Sequence, residues 1–140
     1  MSFNHIYDIS GSAMNAQVMR LDTIASNLAN ADTAAPSADT AYHALKPVFS
    51  ALYQAGNGED NSSVAASVRM LGVVSSDRPV EQRYEPNNPL ADQDGYVFYS
   101  NVNSLEEMAD MMSASRSYQT SVEVMGKVTS MQQSILKLGQ

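Results

Sequence analysis

The chain contains no cysteine and no tryptophan in 140 residues. Without thiols there are no disulfides, no thiolate nucleophile and no cysteine-based metal site. Basic charge is scarce: eight Lys+Arg face fifteen Asp+Glu, a formal net charge of −7. Neutralising phosphates takes a basic patch, so no nucleic acid is expected as a partner. Anionic lipid has nothing to attract either. No apolar run approaches the ~20 residues of a membrane-spanning helix, so no direct membrane insertion is expected. Residues 1–12 have neither a basic start nor a continuous apolar core, and no cleaved secretory signal is expected.

Catalytic and ligand-binding patterns are equally thin. His5 and His43 lie in separate segments with no HxxxH or HExxH pairing, so zinc is not expected. Asp92-Gln93-Asp94-Gly95 looks at first like a calcium loop. With Gly95 at the sixth position, Leu90 and Asn101 would hold the two key ligand positions, and the motif fails. A turn leading into Tyr96 is the simpler reading. There is no GxSxG elbow, and Gly56-Asn57-Gly58 lacks any phosphate-cradle context. Asn61-Ser62-Ser63 is a formal glycosylation sequon, with meaning only in a eukaryotic secretory route. Glu81, Glu85, Asp92 and Asp94 could serve as an acid–base pair on a cell-wall polymer, but their spacing does not require it. No catalytic residue, metal or cofactor is assigned.

What is present is periodicity. At 44% apolar and 16% charged, the length fits one domain, or a small domain with extensions. Residues 3–30 contain no proline and one glycine. Met14, Leu21, Ile24, Leu28 and Ala31 fall at three- and four-residue spacing, with Gln17 interrupting and Val18 beside it. Ala31-Asp32-Thr33 and Pro36 stop this helix. Near the other end, Asn103 or Ser104 can open a capping box with Glu106 or Glu107. Acidic residues follow in the first turns, and Lys127 and Lys137 come late, as the helix dipole favours. Between them run Met108, Met111, Met112, Ser115, Tyr118, Val122, Met125, Val128, Gln132, Ile135 and Leu136. Arg116 and Tyr118 read either as a solvent-facing and a core residue, or as an inter-subunit pair. The nine methionines fit adaptable contact surfaces.

The middle alternates with period two: Leu45 to Tyr53, Val68 to Val74, more weakly Val80 to Tyr84, then the run Tyr96-Val97-Phe98-Tyr99. Turn-forming residues separate these stretches, at 56–61, 85–89 and 92–95. The stretch 32–40 reads as a flexible connector. The expected fold is α+β: long N- and C-terminal helices pairing as a coiled-coil-like layer, with a small β-rich insert of about four strands. The segments are 1–33, 34–100 and 101–140. The helical stripes are narrow, with small or polar members at Ala25, Ala29, Ala114, Ser115 and Ser121. A lone helix pair therefore buries too little to repay its ordering; either the termini are poorly ordered in the monomer and become helical on neighbouring copies, or the two helices form an ordinary core packed on the β insert. Asn27 and Asn30, three apart near the end of the first helix, either satisfy its last carbonyls or bond a neighbouring chain.

The run Arg20-Leu21-Asp22-Thr23-Ile24-Ala25-Ser26-Asn27-Leu28-Ala29-Asn30-Ala31-Asp32-Thr33 resembles the signature of flagellar basal-body rod proteins. Tyr84-Glu85-Pro86, Asn88-Pro89-Leu90-Ala91-Asp92, Gly95-Tyr96-Val97, Asn101-Val102-Asn103 and Glu106-Glu107-Met108 resemble the proximal-rod FlgC family in particular, as does Ala114-Ser115-Arg116-Ser117-Tyr118-Gln119. The resemblance covers nearly the whole chain. Asn88, Ser100 and Ser121 depart from the residues frequent in that family.

The resemblance implies a structural subunit of the periplasmic rod, exported by the flagellar type III apparatus without a cleaved signal. It implies self-association in a helical assembly, and contacts with other rod proteins, the MS ring and the export-gate adaptor. The subunit-interface residues expected are Met14, Val18, Leu21, Ile24, Asn27, Leu28, Asn30, Met108, Met111, Met112, Arg116, Tyr118, Val122, Met125, Ile135 and Leu136. A secreted helical adaptor that never polymerises and a cell-wall enzyme are the competing readings.

Overall fold

The computed structural model describes residues 3–55 and 64–138. Helix α1 (Phe3–Ala29) is followed by strand β1 (Ala34–Ala35), a 3-10 turn at Ala38–Thr40, strands β2 (Leu45–Ala55), β3 (Val64–Ser75), β4 (Glu81–Tyr84) and β5 (Tyr96–Tyr99), and helix α2 (Ser104–Leu138). This is the expected α+β order, with the strands between two long helices. At 1.5 Å per residue the helices run roughly 40 and 50 Å. The turn at 56–61 and the sequon at Asn61 lie outside the described residues.

Helix α1 stops without a glycine. Asn30 donates from Nδ2 to the Ser26 carbonyl at 2.8 Å, and the Asn30 carbonyl accepts from Thr33 N and Oγ1. A tightened last turn thus satisfies carbonyls that the helix leaves open. Helix α2 is opened by Asn103, not Ser104. Asn103 Oδ1 accepts from the amides of Leu105 and Glu106, at 3.1 and 3.3 Å. Glu106 turns its carboxylate to Arg78 instead of back to the cap.

The stretch 32–40, expected to be a flexible connector, is ordered. Ala34 and Ala35 pair antiparallel with Tyr99 and Phe98, and the 3-10 turn follows. Two alanines give no alternation to read and have weak strand preference; β5 supplies the pairing that makes them a strand. The sheet order is β1-β5-β4, with all of β4 exposed at the edge. β2 and β3 form a separate two-stranded sheet. The Ser76 amide reaches the Ala44 carbonyl at 2.8 Å, placing the end of β3 beside the start of β2, as in an antiparallel ribbon.

The chain comprises two compact units. One contains Met1–Arg20, Val48–Gly72 and Ser113–Gln140. Here the start of α1 lies beside the end of α2: Tyr7 Oη is 2.9 Å from Thr129 Oγ1 and 3.3 Å from Gln132 Oε1. Ser12 Oγ donates to the Ile9 carbonyl and accepts the Val68 amide, tying α1 to β3. The buried side chains are small: Ser10, Ala16 and the wholly enclosed Ala114, with Val128. Small residues let backbones approach closely but bury little apolar area.

The other unit contains Leu21–Pro47 and Val73–Met112. Its core is Ile24, Ala35, Ala41, Ala44 and Val97. Gly95, with φ +82°, makes the turn into β5, and a Cβ there would sit 2.9 Å from Tyr84 Cε2. Asp92 Oδ1 accepts the Asp94 and Tyr96 amides and locks the same turn.

Candidate functional site

Two polar clusters hold the start of β2 within the second unit. Asn27 is wholly buried. Its Oδ1 accepts from Leu45 N at 2.8 Å and from Tyr42 Oη at 3.1 Å, and its Nδ2 donates to Leu45 O at 2.8 Å. The side-chain amide pairs with Leu45 as a neighbouring strand would. Asn101 works the same way two residues before the α2 cap: Oδ1 accepts from Ala44 N, and Nδ2 donates to Arg78 O, both at 2.6 Å. His43 Nδ1 lies 3.1 Å from both Ser76 O and Asn101 Nδ2.

The second cluster is ionic. Glu107 is 2% exposed, and its Oε1 accepts from Lys46 Nζ at 2.8 Å; its Oε2 is buried without a hydrogen-bond partner. Asp110 and Glu106 also face Lys46, at 3.7 and 4.0 Å, and Arg78 holds Glu106 at 2.8 Å. Partial burial works against the charge of Lys46. The hydrogen bond it donates to Glu107 and the charges of Glu107, Glu106 and Asp110 outweigh this, and hold the amine above its ordinary pKa. The hydrogen bond and charge of Arg78, helped by Lys46, hold the Glu106 carboxyl below its ordinary value.

The sequence-derived contact residues separate into two groups. Ile24 and Asn27 are buried within the chain; Met14, Leu21, Leu28, Asn30, Met111, Tyr118 and Met125 are half-buried. Val18, Met108, Met112, Arg116, Val122, Ile135 and Leu136 are exposed. Leu105, Val124 and Met131 are exposed as well and were not read from the sequence. Their signal was available: Leu105 precedes Met108 by three, and Met131 precedes Ile135 by four.

The placement of these residues around α2 is informative. At roughly 100° per residue, Ala114, Tyr118, Ser121, Met125 and Val128 form the inward stripe of the first unit. Val124, Met131 and Ile135 fall on one side of that stripe and Val122 on the other, while Leu136 continues the stripe itself toward the end of the helix and is exposed there. Within the second unit, Leu105, Met108 and Met112 share an arc of roughly 60° and are all exposed. The helix therefore carries more apolar surface than its own chain covers.

Three of the four loop carboxylates have structural partners. Glu81 bonds Arg83, which lies 4.5 Å over the Tyr99 ring; Glu85 accepts from Asn88 and from Tyr99; Asp92 locks its turn. Arg83 holds Glu81 below its ordinary pKa through a hydrogen bond and charge. Burial, reinforced by the bond to Glu85, raises the pKa of Tyr99. A polar groove of about 440 Å³ runs past Asp32, Arg83, Tyr99 and Asn103. Among the described residues no cluster of three side chains could hold a metal ion, and no helix is long and apolar enough to cross a membrane.

Comparison with known proteins accounts for both ends of the chain and for its middle. Residues 8–35 match the family model described as flagella basal body rod protein, and residues 93–138 match that for the C-terminal part of the flagellar basal body rod FlgEFG proteins. The FlgC basal-body rod proteins of Escherichia coli O6:H1 and Salmonella typhimurium are each 44% identical over 140 residues, covering 100% of both chains. That of Aquifex aeolicus is 40% identical over 123 residues, 88% of this chain and 87% of its own. A likeness of this extent, over helices and strands alike, places the chain in the FlgC family of flagellar basal-body rod proteins.

Proposed function

We propose that the chain is a structural, non-enzymatic subunit of the flagellar basal-body rod, working in the proximal rod by helical self- and co-assembly. The observation that carries this reading is the apolar surface on both sides of the inward stripe of α2. One partner helix covers one side of a helix; surface on two sides calls for more than one neighbour. Heterologous contacts that do not close on themselves build a helical assembly rather than a ring. A shaft carrying torque gains stiffness from many such lateral and axial contacts.

Within this reading Val18, Met108, Met112, Arg116, Val122, Ile135 and Leu136 meet other subunits. The half-buried Met14, Leu21, Leu28, Met111, Tyr118 and Met125 support both the fold and its contacts. Asn27 sets the entry into β2. The partners are other rod proteins, the MS ring and the export-gate adaptor. The chain reaches the periplasmic rod through the flagellar type III export apparatus, and the lack of disulfides suits passage as an unfolded chain.

The experiment is a pair of charge substitutions on the exposed surface, Met112→Asp and Ile135→Asp, made separately. Each side chain is exposed in the single chain, so the circular dichroism of the purified subunit is expected to be unchanged. Incorporation into basal bodies and motility are expected to be lost. Normal motility in both variants contradicts the reading.

A further inference from the structure

We propose that the exposed methionines of α2 make assembly of this subunit sensitive to peroxide, with Met108, Met112 and Met131 as the sites of modification. The inference rests on the assembly reading above, but concerns chemistry which that reading does not require. The chain has no cysteine, so thioethers are its only sulfur nucleophiles. Met108, Met112 and Met131 are 51%, 60% and 57% exposed, whereas Met111 and Met125 on the same helix are half-buried. Oxidation follows access to the sulfur, so among the described methionines the free subunit presents these three first.

Each of the three sits among exposed apolar neighbours. Met108 and Met112 share their arc with Leu105, and Met131 lies beside Val124 and Ile135. The thioether sulfur attacks one oxygen of hydrogen peroxide and the O–O bond breaks. Sulfur is oxidised by two electrons to the sulfoxide; the other oxygen takes the proton of the first and leaves as water. An apolar, adaptable side chain becomes polar and chiral. A sulfoxide carried into a dry helix contact brings a strong acceptor with no donor to meet it. In the free subunit the same group stays in water at no cost, so the fold survives and docking does not. Once docked, the sulfurs are covered, and the assembled subunit resists the oxidant that disables the free one. Sulfoxide is reducible by methionine sulfoxide reductases, so the block is reversible.

The test treats the purified full-length chain with dilute hydrogen peroxide. Peptide mass spectrometry locates the sulfoxides, and co-sedimentation with purified rod proteins reads assembly. Met108, Met112 and Met131 are expected to oxidise about fivefold faster than Met111 and Met125. Circular dichroism stays unchanged while co-sedimentation falls about tenfold. Treatment with the reductases restores it. In the variant carrying Met108→Leu, Met112→Leu and Met131→Leu, co-sedimentation after peroxide is compared with that variant's own untreated level, and is expected to change less than about twofold. Full co-sedimentation of the oxidised wild-type chain overturns the proposal and leaves the assembly reading standing. Equal loss in the leucine variant after peroxide also overturns it. Failure of the untreated chain to co-sediment at all overturns both.

Discussion

At the residue scale the fold depends on a few polar side chains that do the work of backbone. Asn27 completes both hydrogen bonds of Leu45 from inside the core. Asn27→Ala is expected to leave buried backbone groups unmet and to cost about 3 kcal/mol, measured as a lower urea midpoint with an unchanged slope. The Lys46–Glu107 pair makes a second prediction. Lys46→Met leaves a buried carboxylate unpaired. The expected cost is about 2 kcal/mol, below that of a fully buried pair because the amine is partly in water. Adding Glu107→Leu is expected to recover most of it; a double variant as unstable as the single one would contradict the pairing. The pH dependence follows in sign. Glu106 and Glu81 have lowered folded pKa values, so their contribution is complete above their ordinary 4.5 and is lost as pH falls through the lowered values. Lys46 has a raised one, so its contribution holds below 10.5 and fades as pH rises past it. Chemical denaturation from pH 3 to 11 is expected to give a plateau between those limits. None of the long-range pairing was legible in sequence: Lys46 and Glu107 are 61 residues apart, and no spacing rule connects them. Asn27 was legible as a residue with a task at the end of a helix, but not as the partner of Leu45.

At the element scale the helices were legible and the smallest strand was not. Both helices declare themselves through three- and four-residue spacing, α1 also through the residues that stop it and α2 through its asparagine cap and acidic first turn. β2, β3 and β5 show alternation or an aromatic run. β1 has two alanines and no pattern, and exists because β5 offers a partner. The inward and outward sides of α2 were read as one stripe, because methionine fits either side equally well. The structure separates them, and a prediction follows. Residues 114–128 of α2 include the enclosed Ala114 and Val128, while residues 131–137 are all exposed. In the free chain, amide exchange is expected to be clearly slower in the former segment than in the latter, since exposed helical turns open locally. Uniform protection along α2 in the free chain would show that the end of the helix needs no neighbour.

At the scale of the whole molecule, sequence likeness to the FlgC proteins and the uncovered surface of α2 lead to the same conclusion from separate observations. The likeness says which assembly; the surface shows apolar side chains that the single chain leaves uncovered. Among the described residues the core is alanines and a few branched side chains, which bury little area for the length of the chain, and on the proposed reading other chains supply the rest. The most direct measurement is a density map of isolated basal bodies with this chain traced in it. Leu105, Met108 and Met112, and likewise Met131 and Ile135, are expected to be packed against helices of neighbouring subunits. A traced rod in which those side chains face solvent, with the chain held by other surfaces, would contradict the account.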